Sequence, residues 1–374
     1  MLREISLRDG APASEAALDD ARQSILDLGL FRDVKVRTEP LDDGVRVIFK
    51  VVEKWYILPV PRVDANSDGR LGLGMALNWD NVWGLNHRVR ALVSRTTYDE
   101  AEREAETLYR ASYEWPLVAD SPWGLSMGGA FARQSSVFEE VRYEELTRSV
   151  NIGLTRQLDE SLPSSQGWLI GGSLGWSSQN TSGEDAPPSD GHVVILEGVS
   201  QYRRVRFNVY SETGRFLEVR GSANVPGLGD FGFQQITADY AQFWRVGQRA
   251  HQTAHFLASA GTYHGGPKFR RDVFSLGGSS TLRGYDNEFL EGDSFMLVAG
   301  EFLRPVFGDS TRLLLLAEMG AARRTNRDPI ERPLYVSVGA GIRVRFTWFV
   351  RFELEVGVAF APVEREGHVG ADGA

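Results

Sequence analysis

The residues with the most specific chemical potential lie in Phe274–Tyr285, FSLGGSSTLRGY, where Arg283 is flanked by Gly277, Gly278 and Gly284 and followed by Tyr285. Two strand-like runs come after it. Each carries one carboxylate among apolar residues: Glu301 within Met296–Val306, and Glu318 within Leu313–Ala322. A guanidinium offers a planar fork of donors that matches a carboxylate in a bidentate pair. An arginine on a glycine-rich loop, followed by lone acids on strands, therefore predicts a loop that folds back and is pinned by ion pairs. Once such a pair is desolvated, removing one partner costs about 3–5 kcal/mol.

Other constellations carry less. Gly124-Leu125-Ser126-Met127-Gly128 matches G-x-S-x-G, but that motif needs a sharp strand-to-helix turn to expose the serine, and here it lies inside an alternating strand. Asp64-Ala65-Asn66-Ser67-Asp68-Gly69 opens like a calcium loop, yet its twelfth position is Met75, where a bidentate Glu belongs. It reads as a hairpin turn. His251 and His255 are expected on one strand face, roughly 13 Å apart at strand rise, too far to share a zinc ion, and His264 does not repair that geometry. No catalytic residue, metal site or cofactor is expected.

Those acids must be positioned by strands, and strands are what the chain supplies. It has 374 residues, 42% hydrophobic, with 40 glycines, 9 Trp, 11 Tyr, 20 Phe, no cysteine and a net charge of −9. No apolar run approaches the roughly 18 residues of a spanning helix. A spanning β-barrel needs none, because outward apolar and inward polar residues alternate. The absence of cysteine removes disulfides and thiolate zinc sites, and the acidic balance argues against nucleic acid as a partner. No secretory signal precedes the first alternating segment, so an envelope location implies that a signal has been removed or that the gene starts upstream.

From Ile57 onward the period is two. Val350, Phe352, Leu354, Val356, Val358 and Phe360 alternate with Arg351, Glu353, Glu355, Gly357 and Ala359. Leu334, Val336, Val338, Ala340, Ile342 and Val344 likewise alternate with Tyr335, Ser337, Gly339, Gly341, Arg343 and Arg345. Burying either polar set in an apolar core would cost several kcal/mol per unpaired charge, whereas lipid outside and a wet lumen inside accommodate both faces. About fifteen strands read this way, from 57–64 to 349–361. Since such barrels are expected to have even strand numbers, either the long segment Val193–Tyr210 hides two strands or the last strand is missing. Trp79, Trp83, Trp115, Trp123, Trp168, Trp244 and Trp348 fall near strand ends, where interfacial girdles belong. Gly265–Glu291 is longer than a hairpin requires, which usually signals function.

Residues 1–54 form a separate α/β unit. Ser14 is placed to cap a helix over Glu15–Leu28, with Gly29 as its terminator. Leu18, Ala21, Ile25 and Leu28 share one face. Strands Phe31–Thr38 and Val45–Lys54 follow, joined by Leu41-Asp42-Asp43-Gly44. Residues 363–374 show no alternation and read as a disordered tail.

These features together resemble the BamA/TamA superfamily of outer-membrane assembly and translocation barrels. Leu282-Arg283-Gly284-Tyr285 is similar to its V-R-G-F/Y loop motif. Gly300-Glu301-Phe302-Leu303-Arg304-Pro305 is similar to its E-x-R-x-P strand, with spacing shifted by one. Ala317-Glu318-Met319-Gly320 resembles its F-x-D-x-G strand, with Glu in place of Asp. Asn81-Val82-Trp83-Gly84 resembles an N-x-x-G turn, and Tyr113-Glu114-Trp115-Pro116 a later strand ending in Pro. Residues 1–54 resemble a POTRA module, compressed at its N-terminus.

The resemblance implies a mainly β fold: an outer-membrane antiparallel barrel over residues 55–362, of about sixteen strands, behind a periplasmic POTRA-like domain. It implies a non-enzymatic protein-insertion or translocation factor. Such a factor would work through a weak seam and an inward loop, with Glu301 and Glu318 as pinning acids and Gly277, Gly278 and Gly320 in support. Its expected partners are outer-membrane lipid, client envelope proteins, and periplasmic or lipoprotein partners of the POTRA-like domain. The alternative is a passive or gated pore for solutes or lipids, with the loop as a plug.

Overall fold

The computed structural model describes the chain except for residues 1–4, 6, 8, 66–69, 100–103, 139–140, 160–161, 184–189, 266–273, 287–288, 324–333, 351 and 363–374. Arg351, most of the Asp-rich turn and the expected tail thus lie outside the described residues.

Helix α1 (Glu15–Asp27) begins where Ser14 Oγ accepts the Ala17 N–H at 3.2 Å. It ends before Gly29, whose φ of +76° suits a residue without Cβ. Strands β1 (Phe31–Leu41) and β2 (Gly44–Glu53) pair as a hairpin. Ala21, Ile25, Leu26 and Leu28 bury against Leu30, Phe31 and Val34, and Val350 from the far end of the chain joins that core. Leu18, expected on the same face, is only half-buried.

The remaining strands are β3 (Ile57–Ala65), β4 (Arg70–Val82), β5 (His87–Tyr98), β6 (Glu106–Trp115), β7 (Trp123–Phe138), β8 (Val141–Gln157), β9 (Gly167–Ser182), β10 (Gly191–Asn208), β11 (Ser211–Gly229), β12 (Phe233–Arg245) and β13 (Thr253–Gly265). After a small hairpin of β14 (Phe274–Leu276) and β15 (Leu290–Gly292) come β16 (Ser294–Phe307), β17 (Thr311–Arg323), β18 (Tyr335–Phe346) and β19 (Phe352–Phe360). Excluding β14 and β15, β3 through β19 form one fifteen-stranded sheet in chain order, each strand antiparallel to the next. Val193–Tyr210 does not hide two strands: β10 pairs with β9 from Gly191 to Arg203 and with β11 from Val193 to Asn208. Among the described residues no helix is long and apolar enough to span a membrane.

The sheet curls on itself. Arg345 on β18 reaches Glu212 on β11 at 2.9 Å, a chord across the interior. The Trp55 N–H donates to Trp348 O at 2.7 Å and the Val350 N–H to Trp55 O at 3.1 Å, joining the two ends at one rim. With fifteen strands, β3 and β19 run in the same direction, and the bridge between Trp55 and Phe349 is accordingly parallel. The outer wall follows the expected alternation: Leu354, Val356, Val358 and Phe360 are exposed, Val358 by 80%, while Glu353 and Glu355 turn inward to ion pairs. The seven girdle tryptophans all fall at the rim beside the N-terminal unit, a one-sidedness that strand-end position alone did not reveal.

The N-terminal unit docks at that rim. The Asp27 carboxylate accepts the Phe207 N–H at 2.8 Å and Gln166 Nε2 at 3.3 Å. Gln23 Nε2 donates to Phe207 O at 3.0 Å, and the Lys54 ammonium lies 4.5 Å above the Phe207 ring.

Candidate functional site

The connection between β13 and β16 folds into the lumen. The β14–β15 ladder closes its base, Phe274 opposite Gly292 and Leu276 opposite Leu290. Leu276, Leu282, Tyr285, Phe289 and Leu290 then bury one another against Ala322 of β17. Gly277 holds φ at +126°, and a Cβ there would sit 2.1 Å from Asp286 O. Gly278 donates its N–H to Tyr285 O at 3.0 Å. Gly320 faces inward on β17, where a Cβ would meet Leu276 Cδ1 at 3.0 Å, so its bare backbone makes room for the loop. The Tyr285 ring lies tilted 4.5 Å from that of Phe289, and its hydroxyl donates to Val336 O at 3.0 Å. Leu282, fully buried, takes a left-handed φ of +48°. This costs a non-glycine residue roughly 1–2 kcal/mol and turns the next residue, Arg283, toward the wall.

On that wall β16 and β17 are adjacent, with Ala299 opposite Glu318 and Glu301 opposite Leu316, so both acids share the inner face. Glu318 Oε1 accepts Arg283 Nε at 2.9 Å and Nη2 at 2.8 Å, and Oε2 takes the backbone N–H of Arg283 at 2.5 Å. Both the charge and the main chain of the loop are thereby fixed by one carboxylate whose side chain is 2% exposed. Arg283 Nη2 also reaches Glu301 at 2.9 Å. Glu301 in turn meets Arg343 at 2.9 Å and His255 Nδ1 at 3.4 Å.

Two participants were not singled out from sequence: Glu355 on β19, 2.8 Å from Arg283 Nη1, and Arg343 on β18. The alternation had already turned both inward, but their convergence depends on hairpin register, which sets Arg343 opposite Glu355 and Arg345 opposite Glu353. Arg345 pairs with Glu353, and the fully buried Arg312 approaches Glu353 at 3.2 Å.

Two of the remaining motifs lie within the described residues, and neither is assembled as a site. Ser126 lies mid-strand in β7, opposite Gly153, with no elbow after it. His251 does not share a strand face with His255: it precedes β13 with φ +58° and contacts Ser211 Oγ at 3.0 Å. Among the described residues, no group of three or more His, Asp or Glu side chains is arranged for a metal ion.

A family model of the Omp85 superfamily domain matches residues 81–368. The chain belongs to the Omp85 superfamily. Its fold is similar to that of BamA from Haemophilus ducreyi lacking POTRA domains 1–3, at TM-score 0.62 and 14% identity over 98% of this chain and 78% of that one. It is similar also to CdiB from Acinetobacter baumannii (TM-score 0.62, 16% identity, 97% and 67% covered) and to CdiB from Escherichia coli (0.63, 13%, 98% and 71%). No curated protein matches the sequence. As an Omp85 barrel the chain resides in the outer membrane with its N-terminal unit toward the periplasm, so the tryptophan-rich rim is the periplasmic one. The work of the superfamily is outer-membrane protein assembly or translocation.

Proposed function

We propose that this Omp85 protein inserts or exports envelope proteins through the seam between β3 and β19, with the Arg283 loop bracing the barrel from within. Residues 1–54 act as a POTRA-like module that presents clients at the periplasmic mouth. The observation that carries this reading is the seam. Among the described residues, no ladder joins the two end strands, each of which has a single ladder neighbour; the backbone bonds at the seam are those of flanking residues, Trp55 with Trp348 and Val350. Pro59 and Pro61 lie on β3 in register with Leu77 and Met75. Prolines are tolerated in a paired strand where the missing N–H faces away from the partner, which leaves the edge toward β19 short of donors. Unpaired backbone is costly in lipid, and an incoming client strand satisfies it by β-augmentation.

A disulfide engineered between β3 and β19 tests the proposal in liposomes. Folding of a client barrel should stop while the locked protein keeps its β-rich circular dichroism and its fast migration on an unheated gel. Undiminished client folding by the locked protein would overturn it. An open cavity of about 420 Å³, whose mixed lining includes Arg88, Glu114, Arg203 and Arg220 beside Leu28, Trp115 and Leu169, favours the pore as the second reading. Steady single-channel conductance in the locked protein would select it.

A further inference from the structure

Four side chains inside the barrel close a ring of alternating charge. Arg283 meets Glu301 at 2.9 Å, Glu301 meets Arg343 at 2.9 Å, Arg343 meets Glu355 at 2.6 Å, and Glu355 returns to Arg283 at 2.8 Å. Three members belong to the loop, β16 and β18, none of which is at the sheet's end. The fourth, Glu355, stands midway along β19, the terminal strand.

We propose that Glu355 is a positioning residue that ties the loop to β19, so that seating of the loop and placement of the seam strand are one coupled event. The inference deepens the seam reading above and rests on it for its functional consequence. Three observations support the coupling. First, β19 is hydrogen-bonded along one edge only among the described residues, so its inner face is where additional restraint can act. Second, the loop touches that face twice: through Arg283 to Glu355, and four residues further through Gly284, where a Cβ would lie 3.1 Å from both Ala359 C and Ala359 O. Third, the two ends of Arg283 are specialised. Nε and the backbone N–H serve Glu318, which holds the loop down, while Nη1 serves Glu355, which lies on another strand. Loop retention and strand restraint are therefore separable by mutation.

The bland account is that Glu355 merely makes a cross-strand pair with Arg343, its register partner. Such pairs are worth little on an ordinary sheet, and the two accounts differ in what Arg343 should do. Arg343→Gln removes the cross-strand pair and leaves Arg283 on Glu355. Glu355→Gln removes both.

The test is hydrogen exchange by mass spectrometry on the full chain in lipid nanodiscs, comparing peptides over 352–360 with peptides over 276–285. In Glu355→Gln, exchange in β19 should accelerate roughly tenfold or more, the scale of one lost hydrogen bond to a charged group. The loop should stay protected by Glu318, and Arg343→Gln should change β19 far less. Unchanged β19 exchange in Glu355→Gln, or equal acceleration in Arg343→Gln, overturns the proposal. Should Glu355→Gln fail to fold, Glu355→Asp keeps the charge but shortens the reach, and wild-type exchange in that variant overturns it equally. Client folding measured on the same samples separates the two readings. If β19 loosens while client folding is untouched, the tie stands and the seam reading falls. If β19 does not loosen, the tie falls whatever the client assay gives.

Discussion

Arg283→Ala is the most demanding perturbation of the loop clamp, and its cost follows from what each carboxylate retains. Glu301 keeps Arg343 and His255, and Glu355 keeps Arg343. Glu318 keeps only the Ser337 hydroxyl at 3.4 Å and the N–H of residue 283; among the described residues Arg283 is its cation. The penalty is therefore dominated by one buried, unpaired carboxylate, worth about 3–5 kcal/mol. Because 1.4 kcal/mol is a factor of ten, opening of the loop should become about 10²–10⁴-fold more frequent. Hydrogen exchange over 274–286 in reconstituted protein reads this directly, and client folding should fall with it. Arg283→Lys should recover part of the protection, since an ammonium keeps the charge but cannot serve three carboxylates with a planar fork. Arg220→Ala is the control: it breaks lumenal pairs to Glu197 and Glu218 away from the loop. Loop exchange within about twofold of wild type in Arg283→Ala, or equal loosening in Arg220→Ala, would refute the reasoning; twofold is only ~0.4 kcal/mol.

Two further outcomes are expected. Burial raises the pKa of Asp27 despite the opposing Phe207 N–H, Gln23, Arg206 and Arg203. Protonation of Asp27 thus favours docking of α1 on the barrel: docking should be strongest below the ordinary carboxylate range and weaken as pH rises through the raised value. Asp27→Asn should flatten that dependence, read as spin-label distances between α1 and the β10–β11 turn, and an unchanged pH profile would contradict it. Gly284→Ala should dislodge the loop less than Arg283→Ala but measurably, since its φ of +97° and the Ala359 backbone both oppose a Cβ; Gly198→Ala, with open space around it, should behave as wild type in the same exchange assay.

The strands of this barrel were legible because two solvents impose the period. Lipid selects Leu354, Val356 and Val358, and the lumen selects Glu353 and Glu355, so each strand announces both its extent and its faces without reference to a partner. Ser14 and Gly29 mark the helix for the same local reason. The loop clamp was half legible: Arg283 among glycines and two lone acids on the following strands are unusual in any environment, and the structure brings them together. Tertiary structure decided what no local rule reaches. The pairing of β10 with β9 on one edge and β11 on the other shows it to be one strand, whereas length alone allowed two. The ring through Arg343 and Glu355 depends on register across the last hairpin, which alternation leaves open by any even shift. The seat of Asp27 on Phe207 joins residues 180 positions apart. Local sequence sets which face each side chain takes, because that choice is made between solvents; which partners it meets there is set by closure of the sheet, a property of the whole chain.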